Sequence, residues 1–127
     1  MGGMQTTTNI QETIDRYLTA WNEADPDLRC EQLRAIVTPD ARLIDPLIEA
    51  VGPDAIAAAI GGLRDQMPGH SLTQTTATDV HHDYARFGWV VNAPDGSVAV
   101  AGIDVLTFVD GRIHTALGFF GDLEAVA

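Results

Sequence analysis

Residues 98–109 read VAVAGIDVLTFV, and this run decides the fold. Successive side chains of an extended chain alternate between faces. One face carries Val100, Gly102, Asp104, Leu106 and Phe108; the other carries Ala99, Ala101, Ile103, Val105, Thr107 and Val109. Both faces are apolar, so both are expected to be covered, as in the interior strand of a layered domain. Asp110-Gly111 is a tight-turn signal, and Ile113 to Phe120 reads as the last strand. Upstream, Tyr84 to Val91 is aromatic and β-branched, and Asn92-Ala93-Pro94-Asp95-Gly96 is a hairpin turn. Leu72 to Val80 is Thr-rich and alternating, and reads as one further strand.

The first half of the chain has the other periodicity. Ile10, Ile14, Tyr17, Leu18 and Trp21 recur at helical spacing, with Asn9 and Glu12 as a candidate cap pair and an end near Ala24. Asp25-Pro26-Asp27 starts a second helix carrying Leu28, Leu33, Ile36 and Val37. Ala41 to Asp45 is a short strand closed by Pro46. Gly52-Pro53-Asp54 opens a third helix that ends at Pro68-Gly69. Helices first and an antiparallel meander afterwards predict an α+β domain over residues 9–121, with a loose arm at 1–8 and a tail at 122–127. The helices cover one sheet face. A homodimer packed sheet to sheet is the simplest cover for the other.

Charge excludes several classes of function. Seven Arg and no Lys face 18 Asp plus Glu, for a net charge of −11. Nucleic acid and anionic membrane surfaces are disfavoured partners. Schiff-base chemistry and a Walker-type phosphate loop both need the missing lysine. The single Cys30 permits no intrachain disulfide, and a reducing, cytoplasmic setting is the expectation. Met1 to Thr6 matches the loose myristoylation pattern, but no basic run follows to add a second membrane signal.

Three side chains stand out. Asp104 sits in an apolar row, where burial raises a carboxyl pKa and allows it to donate a hydrogen bond; Arg86 is the candidate cation that would instead ionise it. Asp45 ends a strand before Pro46, which is also ordinary turn chemistry. Tyr17 lies on the helix stripe facing the sheet, and a buried phenol needs a partner. Asp79-Val80-His81-His82-Asp83 is dense in metal-ligand types, but adjacent His residues on a strand point apart, so no metal is expected. His114 shares the alternation of Ala116, Gly118 and Phe120 and is expected beside them. Cys30 has no nearby His to activate it.

Asp15-Arg16-Tyr17-Leu18-Thr19-Ala20-Trp21-Asn22, Pro39-Asp40-Ala41 with Asp45-Pro46, Gly102-Ile103-Asp104-Val105-Leu106-Thr107-Phe108 and Phe119-Phe120-Gly121 resemble the nuclear transport factor 2-like superfamily over residues 9–121. Within it the chain is similar to the ketosteroid isomerases and the SnoaL-like polyketide cyclases. The resemblance implies a cystatin-like fold, a curved antiparallel sheet and three helices forming a cone around an apolar pocket. It also implies a dimer through the sheet, and a small apolar ligand or substrate with no cofactor. By the same resemblance, Asp45 is a base and Tyr17 and Asp104 are oxyanion donors. Trp21, Phe87, Trp89, Leu106, Phe108, His114 and Phe120 are the expected pocket wall. Isomerase or cyclase chemistry through an enolate is the leading expectation. A non-catalytic binding homodimer is one alternative; an epoxide hydrolase using an Asp-Arg-Asp set with Arg86 and Asp104 is another.

Overall fold

A computed structural model of the chain describes residues 7–126, with side chains from Asn9 onward. The expected arm therefore lies outside the described residues over 1–6, together with the whole myristoylation pattern, while 7–8 already belong to a helix. The element order is α1 (Thr7–Asn22), α2 (Pro26–Ile36), β1 (Val37–Ile44), β2 (Glu49–Val51), α3 (Pro53–Gln66), β3 (Ser71–Gln74), β4 (Asp79–His81), β5 (Tyr84–Asn92), β6 (Val98–Val109) and β7 (Arg112–Phe120). No described helix is long and apolar enough to cross a membrane.

The strands form one curved sheet in the order β2-β1-β7-β6-β5-β3, with β4 also on β5. Three helices on such a sheet make this an α+β fold. The sheet is mixed where a wholly antiparallel one was expected, because β1 runs parallel to β7. The reason is connectivity: β1 leaves the helices early and reaches the last strand only after α3 and the meander have intervened.

Local chemistry accounts for most boundaries. The Asp25 side chain accepts from the amides of Asp27 and Leu28 and caps α2. Asp110 (φ 51°) and Gly111 (φ 80°) both hold positive φ, the turn whose twist matches the flanking β6 and β7. Several details depart from expectation; Val37, read as a residue of the second helix, opens β1, and Glu49–Val51 pairs as β2 where a loop was expected. Helix α1 ends at Asn22 and starts at Thr7, so Asn9 lies inside its first turn and is not its cap. Arg29, not Leu28, is the buried residue at the start of α2 (3% against 41% exposed). The Arg29 guanidinium donates through Nε and Nη2 to the Glu23 carbonyl (3.1 and 2.6 Å), satisfying the end of α1. The expected strand 72–80 is split into β3 and β4. Thr76 Oγ1 takes the Gly88 amide and Gln74 Nε2 reaches Thr76 O and Thr78 Oγ1, so side chains displace the backbone ladder there.

The core lies between helices and sheet, centred on Ile10, Ile14, Tyr17, Leu33, Ile60, Phe87 and Leu106. On β6 the row Asp104, Leu106, Phe108 is buried, while Ile103 and Val109 on the opposite row are each 47% exposed. That outer face is uncovered in the single chain.

Candidate active site

A cavity of about 90 Å³ opens at one end of the sheet, beneath α1 and α3. Its apolar walls include Trp21, Leu63, Leu72, Trp89, Val100 and Phe120; Asp45 and Asp104 also line it. Register explains the position. Trp89, Gly102 and Phe120 are direct partners across β5, β6 and β7, and Asp104 pairs with Gly118 one step further along. Phe87, Leu106 and Phe108 share this inner face but lie toward the closed end. There they are 2%, 0% and 3% exposed and belong to the solid core, not to the cavity wall.

His114 is a second correction. The β6–β7 pairing shifts between Thr107 and Phe108, so Ile113 takes the inward position expected for its neighbour. The His114 ring turns to Thr38 Oγ1 (3.1 Å) and Asp40 Oδ1 (3.5 Å), away from the cavity.

Asp45 and Asp104 come together through a missing side chain. Ile44 pairs with Leu117 and Asp104 with Gly118, so Gly118 stands between the two acids on the intervening strand. A Cβ on Gly118 would stand 3.0 Å from Asp45 Cβ and 3.1 Å from Asp104 Oδ1. Glycine leaves that slot open to both carboxyls. The only sequence sign of it was the run of small inner-face residues Ala116 and Gly118.

The Asp45 carboxylate is fixed by the hairpin it starts. Oδ1 accepts from the amides of Leu47 (2.8 Å) and Ile48 (2.9 Å), leaving Oδ2 with no partner among the described residues. Asp104 Oδ1 accepts from Trp89 Nε1 at 2.9 Å, and its Oδ2 is likewise unpartnered. Burial pushes the Asp104 pKa up to about 7 against the opposing Trp89 hydrogen bond, with the Asp45 charge adding to the rise. Arg86 does not reach Asp104. It is on the outer face, where Nε pairs with Asp79 Oδ2 at 2.8 Å, so the Asp-Arg-Asp set of an epoxide hydrolase is not assembled with it.

Tyr17 is fully buried and meets the Trp21 ring edge-on, centroids 6.4 Å apart. Its hydroxyl has no hydrogen-bond partner among the described residues. Burial, and then the charge of Asp104, hold its pKa well above the ordinary value against the neighbouring Trp21 indole, with Asp45 adding to the rise, so it stays a proton donor. Tyr17 is not among the residues that line the cavity, so the structure brings the two acids together there but not the phenol.

Sequence reading did not pick out Gly102. A Cβ there would collide with the Phe119 carbonyl and the Trp89 ring. Trp89 lies over this glycine, edge-on to Phe120 (5.6 Å), and from there holds Asp104. Gly102→Ala is expected to destabilise the fold by about 2–3 kcal/mol, the range for overpacking, and to shift tryptophan emission. Urea denaturation and fluorescence of the variant test this; unchanged values would mean that the Trp89 seat is slack.

The remaining candidates lie elsewhere. His81 and His82 Nδ1 atoms are 3.2 Å apart on the surface, and no group of three or more metal-ligand side chains occurs among the described residues. Cys30 Sγ donates to Asp54 Oδ1 at 3.2 Å beside Arg34, outside the cavity.

The SnoaL-like domain family matches residues 14–115. A proposed isomerase of the SnoaL-like family from Agrobacterium tumefaciens is 32% identical, with a TM-score of 0.86 over 91% of this chain and 99% of that one. A proposed SnoaL-like polyketide cyclase from Jannaschia is 19% identical (TM-score 0.74; 89% and 85% covered). A proposed ketosteroid isomerase from Kribbella flavida is 16% identical (TM-score 0.66; 94% and 83% covered), and these two show the fold alone. No curated protein matches the sequence. With the family match spanning most of the chain and the fold in agreement, this protein belongs to the SnoaL-like family of nuclear transport factor 2-like domains.

Proposed function

We propose that the protein moves a proton beside the carbonyl of a small, largely apolar compound, in an isomerase- or cyclase-type reaction through an enolate. The observation that carries this is the pair Asp45 and Asp104 facing one cavity across the bare Gly118. The Agrobacterium relative, itself a proposed isomerase, lends support.

In the reaction the carbonyl oxygen accepts from protonated Asp104. Asp45 Oδ2 takes a proton from the adjacent carbon, and the C–H electron pair becomes the enolate, its charge on the oxygen beside that donor. Asp104, held at the cavity wall by Trp89, needs no reorganisation as that charge develops. Asp45 then returns the proton to another carbon, which is isomerisation, or the enolate carbon attacks a second carbonyl carbon of the same molecule, whose C=O electron pair becomes an alkoxide that takes the proton from Asp45, which is ring closure. These side chains supply both the base and the electrophile, so no cofactor is required. The cavity lies below the roughly 300–1,000 Å³ of common ligand clefts, which favours a compact substrate over a four-ring steroid.

The test is deuterium exchange. Small ketones in D₂O are expected to lose α-proton NMR signal faster with the protein than with Asp45→Asn. Ketones that bind yet exchange equally in both would leave a binding protein in place of an enzyme.

We also propose that two copies meet through the outer sheet face. Ile103 and Phe119 are 47% and 62% exposed there, and the outer row of β6 carries no charge. Chains of net charge −11 repel unless an apolar surface such as this row brings them together. Light scattering is expected to give twice the 13.6 kDa chain mass, and Phe119→Glu the chain mass itself. A native monomer would refute the dimer.

A further inference from the structure

The cavity has a second polar end. Arg64, on α3, lines it together with His70 and Ser71, and of the seven arginines it is the only one that does. Apart from Asn22, whose amide is tied to the Leu72 backbone, its surroundings are otherwise apolar: Trp21, Leu63, Met67 and Leu72 line the same space. The guanidinium is already held in position. Nη1 donates to the Trp21 carbonyl at 3.1 Å, at the end of α1. Nε and Nη2 have no hydrogen-bond partner, and Arg64 has no carboxylate partner, among the described residues. Nε and Nη2 form the edge of a guanidinium that grips a carboxylate with two parallel hydrogen bonds. The structural role, closing α1, uses only the other nitrogen. Arg64 comes from α3 and the two acids from β6 and the end of β1, so the cation and the acid pair reach one hollow from different elements.

From this arrangement, and resting on the enolate reading above, we infer that the substrate is a small keto acid whose carboxylate docks on the Nε–Nη2 edge of Arg64 while its ketone lies at Asp45 and Asp104. The chain as a whole repels anions at a net charge of −11, so recognition of a carboxylate needs a local cation inside the cavity. Arg64 fixes which end of the substrate faces the acids. It is a specificity-determining residue and takes no part in the proton transfer.

Trp21 and Trp89, the only tryptophans in the chain, both line the cavity and report its occupancy by fluorescence. The probes are 4-oxopentanoate and its methyl ester, which differ in charge at one end only. The keto acid is expected to bind about tenfold more tightly than the ester, the size of one good charge-assisted interaction. Arg64→Gln should erase that preference, and Arg64→Lys should restore part of it. Should Arg64→Gln unfold, the native protein still decides: 0.5 M NaCl is expected to weaken the keto acid and spare the ester. Equal affinity for the two probes in the native protein, or binding of neither, would overturn the inference. Deuterium exchange separates the two proposals. Preference for the keto acid without exchange rejects the enolate chemistry and keeps the Arg64 site; exchange without preference does the reverse.

Discussion

Asp45→Asn is expected to slow α-proton exchange by about a thousandfold, within the 10²–10⁴ range of a lost general base, while leaving fold and ligand binding in place. The choice of Asn follows from the hydrogen bonds. Asp45 Oδ1 accepts from the Leu47 and Ile48 amides, and an Asn oxygen in the same position keeps both. Only the free Oδ2 becomes an amide, which cannot accept a proton from carbon. Asp45→Ala would remove base and hairpin cap together, and the two effects would be mixed. The measurement is the exchange rate at saturating ketone, with circular dichroism and a thermal midpoint as controls. A variant that folds, binds and exchanges like the native chain would remove Asp45 from the mechanism.

The second large effect concerns Asp104 and pH. Its folded-state pKa of about 7 lies above the ordinary 3.8, so the native protein keeps a proton that the unfolded chain has released. Native stability therefore falls as pH rises from about 4 to about 7, and the loss is complete above that window. If the whole shift is expressed, it corresponds to roughly 4 kcal/mol at pH 8. Asp104→Asn cannot ionise, and its oxygen can still accept from Trp89 Nε1. The variant is expected to melt on the order of 10 °C higher than the native protein at pH 8 and close to it at pH 4. Activity should move with the same proton. As a hydrogen-bond donor Asp104 must be protonated, so native exchange should decline above about pH 7, whereas Asp104→Asn, weaker at pH 6, should keep its rate at pH 8. A native rate that climbs through pH 7 and vanishes in Asp104→Asn would make Asp104 the base and exchange the roles of the two acids.

Period carried most of the fold. The 3.6-residue spacing of Ile10, Ile14, Tyr17 and Trp21 and the alternation through residues 98–109 marked helices and sheet, because each spacing can bury its apolar set in only one backbone geometry. Asp110-Gly111 marked its turn for an equally local reason, the ease of positive φ at both positions. The parallel β1–β7 pair was not legible, since nothing within residues 37–44 states which strand they will meet. Nor was the interruption between β3 and β4, where threonine hydroxyls compete with the ladder through contacts made only after folding.

The site divides in the same way. Residue type and strand position nominated Asp45, Asp104 and Tyr17, and the apolar row around Asp104 already implied a raised pKa. Which wall residues bound the cavity was beyond sequence. Phe87, Leu106 and Phe108 alternate just as Trp89 and Phe120 do, yet lie at the closed end, and one shift of register turned His114 away and Ile113 inward. Arg86 and Arg64 are both arginines within secondary structure, and only packing put the first on the outer face with Asp79 and the second inside the hollow. The sequence by itself determined the three helices and the long strands, the buried acid and the exclusion of lysine chemistry, because these depend on residue type and near-neighbour spacing. The tertiary structure alone decided the open end of the sheet, the slot at Gly118 and the cation that shares a cavity with the acids. Each of those is a meeting of residues far apart in the chain, set by strand register and helix packing rather than by any local preference.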